Sequence, residues 1–389
     1  MVSEKWKFHI YYFVRFFGDA FFYPFMMIYF VSKGIADENL GVILALRMIT
    51  AMLVNPLWNF LVKDIRISRI VLKIITVVEG ALIIVISRVS GFELYALIAV
   101  LIAFFCSPSF QIQDGFTATF ASENNVEYTS IRLWGSVAYV IASAIAGFLI
   151  TASGYEVLFL ISGSFFIFTS VIVFWIKPLK NETNLAKTPK RDFRALMKNK
   201  DFFRYLLFYT LAIGAINIGD SFFSVYVTTM KGMAPIAYGL LYSGFVLVEV
   251  IAMRVMLYKG QGLKEKNLLL FSISFVIIRF VLYGLDLPLS VVSIITLFRG
   301  LSWGIVIYAH LRFLIKIVGI ENITAAILIL TLAFSLFAAG GNWLFGALIK
   351  TLGFNVLYFS CAGLLVIAIL VMLILPPKAH YDFNHRPIE

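Results

Sequence analysis

Two charged residues, Asp114 and Arg132, stand eighteen positions apart, each within an apolar segment. On one straight α-helix they would lie about 27 Å apart, at 1.5 Å per residue. The polar sequence ASENNVEY between them breaks the helix, so we expect the two side chains to meet across the turn. The pair then offers a carboxylate acceptor and a planar guanidinium that donates paired hydrogen bonds.

Further polar and aromatic side chains accompany this pair at helical spacing. Ser107 and Gln111 share a face with Asp114, and Tyr139 shares a face with Arg132. A carboxylate, an amide, a guanidinium and an aromatic plane suit a polyhydroxylated ring, which takes paired hydrogen bonds and stacking. Trp134 is a further candidate ligand. The alternative is an interhelical salt bridge at the turn.

The chain carries more ionisable groups inside its apolar segments. A charge at the centre of a membrane helix costs about 2.5–3.5 kcal/mol, so eleven facing lipid would cost roughly 30 kcal/mol. We therefore expect them to face one another or water, and structural ion pairs are the alternative for any single residue. The set comprises the carboxylates Asp19, Glu79, Asp114, Asp220 and Glu249 and the arginines Arg15, Arg47, Arg132, Arg254, Arg279 and Arg299.

The composition requires a bilayer around these charges, because 61% of the 389 residues are hydrophobic and only 14% are charged. Apolar runs of about 20 residues, the length that crosses the hydrocarbon core, recur along the chain. They predict an all-α integral membrane protein with twelve transmembrane helices. The approximate spans are 8–31, 38–62, 70–88, 94–119, 129–151, 156–176, 202–229, 235–258, 267–285, 288–311, 323–349 and 354–375.

The net charge of +11 reflects topology. With the N-terminus inside, 22 of the 32 Lys and Arg residues fall on the cytoplasmic side, four fall outside and six lie within the spans. This asymmetry follows the positive-inside rule. It predicts a multi-pass protein of the inner (plasma) membrane with both termini cytoplasmic, and it argues against a nucleic-acid partner. The first apolar run is too long, and too charged at Arg15 and Asp19, for a cleaved leader.

The chain divides into two related halves. The GD-x-FF sequence at Gly18 recurs at Gly219, and GFLITASGYEVLF (147–159) resembles GALIKTLGFNVLY (346–358). The repeats predict two pseudo-symmetric six-helix bundles at 1–177 and 201–389, joined by a cytoplasmic linker at 178–200. Parallel repeats of this kind place a solute site near mid-depth at their interface.

The sequence YTSIRLWGSVAY (128–139) contains Arg132, Trp134 and Tyr139. It resembles a signature of the lactose-permease and phenylpropionate-permease branch of the major facilitator superfamily, with Thr129 where Gly is usual. The resemblance extends in order through YPFMMIYF, NPLWNFLVKD, VLVEV around Glu249, IIRF around Arg279 and FRGLSWG around Arg299. It implies the major facilitator fold and a role like that of the oligosaccharide or nucleoside:H⁺ symporters.

The resemblance also implies roles for individual residues. Asp114 and Arg132 match positions that bind a sugar ring in that branch, and Tyr139 stands where a Trp stacks on the sugar. Glu249, flanked by Arg279 and Arg299, would carry a proton, since burial favours a neutral carboxyl group and an approaching Arg favours the charged form. A structural pairing of Glu249 with Arg279 is the alternative.

One departure from the branch concerns proton coupling. The His and Glu of its tenth helix are replaced here by Arg299 and Ser302. Asp19 and Asp220, which have no counterpart there, would supplement the proton-coupling role or clamp Arg15 or Arg47.

We therefore predict proton-coupled, alternating-access uptake of a small polar solute, a sugar, glycoside or nucleoside. Na⁺ in place of H⁺, uptake of an aromatic or other small carboxylate, and efflux of amphipathic drugs remain alternatives. We expect a monomer. We also expect no enzyme activity, cofactor or metal, because no enzyme motif occurs and His9, His310, His380 and His385 form no ligand cluster. A membrane sensor is disfavoured, since the longest polar segment is too short for an output module.

Overall fold

The computed structural model describes residues 4–62, 65–177, 193–260 and 262–381. These residues form helices joined by short connections. The helices are α1 (Glu4–Phe22), α2 (Met26–Ser32), α3 (Asp37–Leu61), α4 (Ile65–Ile86), α5 (Phe92–Glu123), α6 (Tyr128–Trp175), α7 (Phe193–Lys198), α8 (Lys200–Ser221), α9 (Phe223–Val225), α10 (Pro235–Lys259), α11 (Glu265–Gly284), α12 (Leu289–Val318) and α13 (Ile323–Ile374). A π-helical turn, Tyr226–Met230, follows α9.

The two longest helices each contain a break at a glycine. Gly154 interrupts α6 with φ 82° and ψ 174°, and Gly353 interrupts α13 with φ 76° and ψ 175°. This backbone region is essentially restricted to glycine. Both glycines occupy the same place in the repeated sequences GFLITASGYEVLF and GALIKTLGFNVLY. The repeat therefore encodes a turn between two membrane-length helices in each half.

Within the described residues, nine helical segments are long and apolar enough to cross a membrane. Two of the nine are α6 and α13, which the glycine breaks divide. The 22-residue α4 adds a further segment of sufficient length. The architecture is thus compatible with the predicted twelve spans.

The chain divides into two compact units. Unit 1 comprises Met1–Lys187 and Val227–Val246, and unit 2 comprises Thr188–Tyr226 and Leu247–Glu389. The predicted boundaries at 177 and 201 stay a prediction, and residues 178–192 of the predicted linker lie outside the described residues.

In unit 1, α1 packs along α6, which also contacts α4, and α5 contacts both α3 and α4. Small residues permit these close crossings. A Cβ atom on Gly80 would lie 2.6 Å from the carbonyl oxygen of Gly163, and one on Gly147 would lie 2.5 Å from that of Pro235. The second contact brings residues 227–246 against α6.

In unit 2, α8 packs along α13, and α11 contacts both α12 and α13. Buried aromatic residues fill the space around Tyr283, whose ring meets those of Tyr226 and Tyr358 at centroid distances of 5.8 and 5.1 Å. The Tyr283 hydroxyl shares a hydrogen bond with Thr296 at 2.6 Å. These contacts hold the C-terminal end of α11 in place, one turn after the site residue Arg279 on the same helix.

Candidate functional site

Asp114 and Arg132 lie together in unit 1, across the turn between α5 and α6. Arg132 Nη1 donates to Asp114 Oδ2 at 3.3 Å and also lies 3.3 Å from the hydroxyl oxygen of Tyr128. The Tyr12 hydroxyl donates to Asp114 Oδ1 at 2.8 Å. Because 55% of the Arg132 side chain and 35% of the Asp114 side chain stay exposed, donor and acceptor positions remain open to a ligand.

The other predicted solute ligands occupy different surroundings. Gln111 is exposed on α5, while Tyr139 is half-buried and its ring stacks on that of Tyr242 at 5.9 Å. Trp134 packs against α1, where its ring stacks on His9 at 5.8 Å and approaches Trp6 at 6.1 Å. Trp134 is thus held in an aromatic group with α1 and is not grouped with Asp114.

Gln113 is a polar neighbour that the spacing argument did not select. It is buried, and its Oε1 accepts a hydrogen bond from the Tyr11 hydroxyl at 3.2 Å. The rings of Tyr11 and Tyr12 meet edge to face at 5.7 Å. Two adjacent tyrosines of α1 therefore hold two polar residues of α5, Gln113 and Asp114.

A second polar group lies deeper in unit 1, around Arg15. Arg15 Nη1 donates to Asp19 Oδ1 at 2.7 Å, and Nη2 donates to Glu79 Oε2 at 3.0 Å and to Ser109 Oγ at 3.2 Å. The side chains of Arg15, Asp19 and Glu79 are no more than 2% exposed. Asp19 thus holds Arg15 one turn away, as the clamp alternative proposed. We call Arg15, Asp19 and Glu79 the buried triad.

Tyr23 is a further contact of the buried triad, through Glu79. Its hydroxyl donates to Glu79 Oε1 at 2.8 Å and lies 2.8 Å from the sulfur of Cys106. The sequence signal for this group was the set of carboxylates inside apolar helices. The signal for Tyr23 was weaker, because tyrosine is common in such helices.

A face of α1 links the two polar groups. Tyr11, Arg15 and Asp19 follow one another at four-residue spacing and therefore lie along one face of the helix. Tyr11 interacts electrostatically with both Asp114 and Asp19. Tyr139, the predicted stacking residue, also interacts with Asp19. The predicted solute ligands and the buried triad are therefore electrostatic neighbours within unit 1.

In unit 2, Asp220 is the centre of an ion-pair group. Its carboxylate lies 2.9 Å from Arg279 Nη1 and 3.0 Å from Arg299 Nε. Arg279 is 1% exposed and Arg299 is 24% exposed. A cavity of about 10 Å³, roughly the room one water needs, adjoins the group. It is lined by Asp220, Arg279, Arg299, Ile216, Val276 and Val306.

This arrangement adds a partner that the sequence did not assign to the two arginines. The family pattern predicted that Arg279 and Arg299 flank Glu249. In the structure, both arginines form ion pairs with Asp220. Glu249 lies half-buried on α10, and its carbonyl oxygen is 2.8 Å from the position that a Cβ on Gly304 would take. Glu249 therefore borders the crossing of α10 with α12.

The chemistry that these groups can perform is binding and proton exchange. Among the residues that the structure describes, no group of three or more His, Cys, Asp and Glu is arranged to hold a metal ion. The exposed pair Asp114–Arg132 can exchange its mutual hydrogen bond for hydrogen bonds to a polar ligand. The buried carboxylates can take up a proton when their charge is not compensated.

Comparison with known proteins decides the family. The MFS_1 like family matches residues 5–380, nearly the whole chain. The chain belongs to this family. MFS_1 like proteins are membrane transporters rather than enzymes. This membership confirms the prediction that the chain is a multi-pass secondary transporter of small solutes. The predicted all-α membrane fold is confirmed as well.

Two curated relatives of this MFS_1 like chain carry transport names. The maltose permease of Geobacillus stearothermophilus is 24% identical over 390 residues, covering 97% of this chain and 95% of the relative. The probable 3-phenylpropionic acid transporter of Escherichia coli (strain K12) is also 24% identical, covering 85% and 86%. A solved structure of the nucleoside transporter NupG has a TM-score of 0.83 at 15% identity, covering 96% of this chain and 100% of that one. The last comparison shows the shared fold.

Proposed function

We propose that this transporter takes up a small neutral hydroxylated solute, a sugar, glycoside or nucleoside, together with a proton. The observation that carries the proposal is the exposed Asp114–Arg132 pair, with Tyr12 and Tyr128 beside it. The guanidinium and carboxylate compensate each other, so the pair as a whole has no net charge to attract an ion. A neutral ring with several hydroxyl groups satisfies both partners at once, because each hydroxyl donates and accepts.

The proposed solute ligands are Asp114, Arg132 and Tyr139, with Gln111 and Trp134 as further candidates. Tyr139 supplies an aromatic plane of the kind that stacks on a sugar ring or a nucleobase. The maltose permease among the relatives supports a sugar. Trp134 has the weakest support, since its ring already packs against Trp6 and His9.

The proposed proton-coupling residues are Glu249, Arg279, Arg299, Asp19 and Asp220. Asp19 and Asp220 lie next to guanidinium groups, the arrangement in which a small movement changes the proton affinity of an acid. Glu249 is half-buried on α10. The proposal includes Na⁺ as the alternative coupling ion. The proposal also includes a monomer in the inner (plasma) membrane. Both termini are placed in the cytoplasm, an orientation that the positive-inside pattern supports.

A second candidate solute is an aromatic carboxylate. The relationship to the probable 3-phenylpropionic acid transporter favours it. Such an anion would bind a guanidinium group in exchange for a protein carboxylate, and Arg279 and Arg299 both contact Asp220. This candidate would therefore use unit 2 more than the Asp114–Arg132 pair.

The test is a solute screen in proteoliposomes. Purified protein is reconstituted, an acid-outside pH gradient is imposed, and radiolabelled maltose, uridine and 3-phenylpropionate are offered in parallel. We expect maltose or uridine to accumulate and a protonophore to abolish the accumulation. Accumulation of 3-phenylpropionate alone would favour the second candidate, and a Na⁺ gradient acting without a pH gradient would identify the other ion.

A further inference from the structure

The buried triad contains two carboxylates and one guanidinium. All three side chains are no more than 2% exposed, and they come from α1 and α4. If both acids were ionised, the triad itself would hold an uncompensated negative charge away from water. Burial of an uncompensated charge is strongly unfavourable, so one proton on one of the acids stabilises the group.

The hydrogen bonds indicate which oxygen receives that proton. Glu79 uses both oxygens, Oε2 for Arg15 and Oε1 for the Tyr23 hydroxyl. Asp19 uses Oδ1 for Arg15, while no donor among the described residues reaches its buried Oδ2. Two donors thus stabilise Glu79 as the anion, and Asp19 alone keeps an oxygen that is free for a proton.

The neighbours on the surrounding helices add one cation besides Arg15, together with several neutral groups. Arg15 is the cation in direct contact, and Arg47 of α3 lies over the Tyr23 ring with its guanidinium carbon 5.7 Å from the centroid. Ser109 and Cys106 of α5 complete the contacts of Arg15 and Tyr23. Tyr11 of α1 and Tyr139 of α6 are electrostatic neighbours of Asp19. Among the described residues, the ion pairs of Asp19 and Glu79 are made by Arg15 and not by Arg47, so Arg47 does not replace the proton in this arrangement.

From this geometry we propose that Asp19 Oδ2 carries the transported proton, while Arg15 and Glu79 form a fixed ion pair that holds Asp19 in place. This inference rests on the proposed function and assigns its coupling site to unit 1. An O–H bond forms at Oδ2 with a proton from the outer solution and breaks when the proton is released to the cytoplasm. Approach of Arg47 past Tyr23 supplies the replacement charge on release.

The proposal also gives a way for solute binding to affect the proton. Tyr139, the proposed stacking residue, and Asp19 belong to the same compact unit. A solute that stacks on Tyr139 excludes water from the same region. Removal of water favours the neutral acid, so a bound solute raises the occupancy of the proton. Linkage is reciprocal, and the proton therefore also strengthens solute binding.

The direct test uses infrared difference spectra of the full-length protein in lipid nanodiscs, recorded between neutral and acidic pH. A protonated carboxyl group gives a C=O stretching band that its carboxylate lacks. We expect Asp19→Asn to remove one such band from the wild-type difference spectrum. Glu249→Gln, the matched control, should leave that band in place. A spectrum that Asp19→Asn does not change would overturn the proposal, as would loss of the same band in Glu249→Gln.

Transport provides the second readout. Asp19→Asn should abolish gradient-driven accumulation of maltose or uridine and keep counterflow of preloaded solute, since the variant is permanently neutral. Equal loss of both activities in a monodisperse variant would contradict the coupling role. If Asp19→Asn does not fold, Asp19→Glu replaces it and should keep the band at a shifted frequency; an unshifted band would exclude Asp19. Failure of the solute screen would leave the infrared result intact, so the two proposals fail separately.

Discussion

At the scale of single residues, the proposed function depends on the difference between an exposed ion pair and a buried one. More than half of the Arg132 side chain is exposed beside Asp114, whereas the Arg15 side chain is buried between Asp19 and Glu79. The contact within an exposed ion pair contributes little free energy, so a ligand can readily replace it. A buried pair is costly to break, because one partner is left charged and dry. We therefore assign solute binding to the first pair and a positioning role to Arg15 and Glu79.

Arg132→Lys tests the first assignment. An ammonium group cannot reproduce the planar fork of a guanidinium, so we expect the affinity for the transported solute to fall about tenfold to hundredfold, equivalent to about 1.5–3 kcal/mol for charged hydrogen bonds. The measurement is equilibrium binding of maltose or uridine to the purified protein. Arg88→Lys, at an exposed position outside the proposed site, is the control and should bind as the wild type does. Unchanged affinity in Arg132→Lys would remove this residue from the site.

The sequence predicted the meeting of Asp114 and Arg132 because a local rule was sufficient: a polar turn between two apolar helices brings their facing residues together. It did not predict that Asp220 pairs with both Arg279 and Arg299, since that grouping requires α8 to meet α11 and α12, which lie far from it in the chain. The assignment of Trp134 to the solute ligands stays a prediction, and the contacts of its ring with Trp6 and His9 on α1 were not visible in the sequence. Spacing gives the face of a residue on its own helix, and the partner on another helix requires coordinates.

At the scale of helices, glycine determines where long apolar segments turn and cross. Gly154 and Gly353 hold backbone angles that other residues adopt only with strain. The repeat of 199 residues that relates them was visible in the sequence. Its physical meaning, a break inside what would otherwise be one helix of 48 or 52 residues, became clear from the backbone.

Substitution of these glycines tests this explanation. We expect Gly154→Ala and Gly353→Ala each to destabilise the protein by about 1–3 kcal/mol, the cost of a side chain in this backbone region. Gly363→Ala is the matched control, because its position is helical and a Cβ there meets nothing within 4 Å. Thermal unfolding of the detergent-purified variants is the measurement. Equal unfolding temperatures for all three variants would show that the breaks do not depend on glycine.

A second helix-scale prediction concerns the contact of residues 227–246 with α6. A Cβ on Gly147 would lie 2.5 Å from the Pro235 carbonyl oxygen, and one on Gly239 would lie 2.5 Å from that of Ser143. Gly147→Ala should therefore destabilise unit 1 by about 1–3 kcal/mol through overpacking. Gly340→Ala, where a Cβ meets nothing within 4 Å, serves as the control in the same unfolding assay. A Gly147→Ala protein as stable as the control would mean that this crossing relaxes freely.

At the scale of the whole molecule, the distribution of Lys and Arg residues predicts the orientation in the membrane. Exposed positions on the two predicted sides provide a direct test, since the native cysteines Cys106 and Cys361 are buried. We expect Lys350→Cys to react with a membrane-impermeant maleimide in intact cells, and Lys264→Cys to react only after permeabilisation. Both lysines are exposed, so accessibility within the protein does not separate them. The reverse pattern would invert the proposed topology.

The central claim for the whole molecule is that a polar solute and a proton move together through this transporter, with the solute held by Asp114 and Arg132. The most direct measurement compares gradient-driven accumulation of radiolabelled maltose and uridine in proteoliposomes containing the wild type or Asp114→Asn. We predict that the wild type concentrates one of these solutes under an acid-outside gradient and that Asp114→Asn does not. Accumulation that is the same in both proteins, or absent in the wild type for both solutes, would contradict the claim.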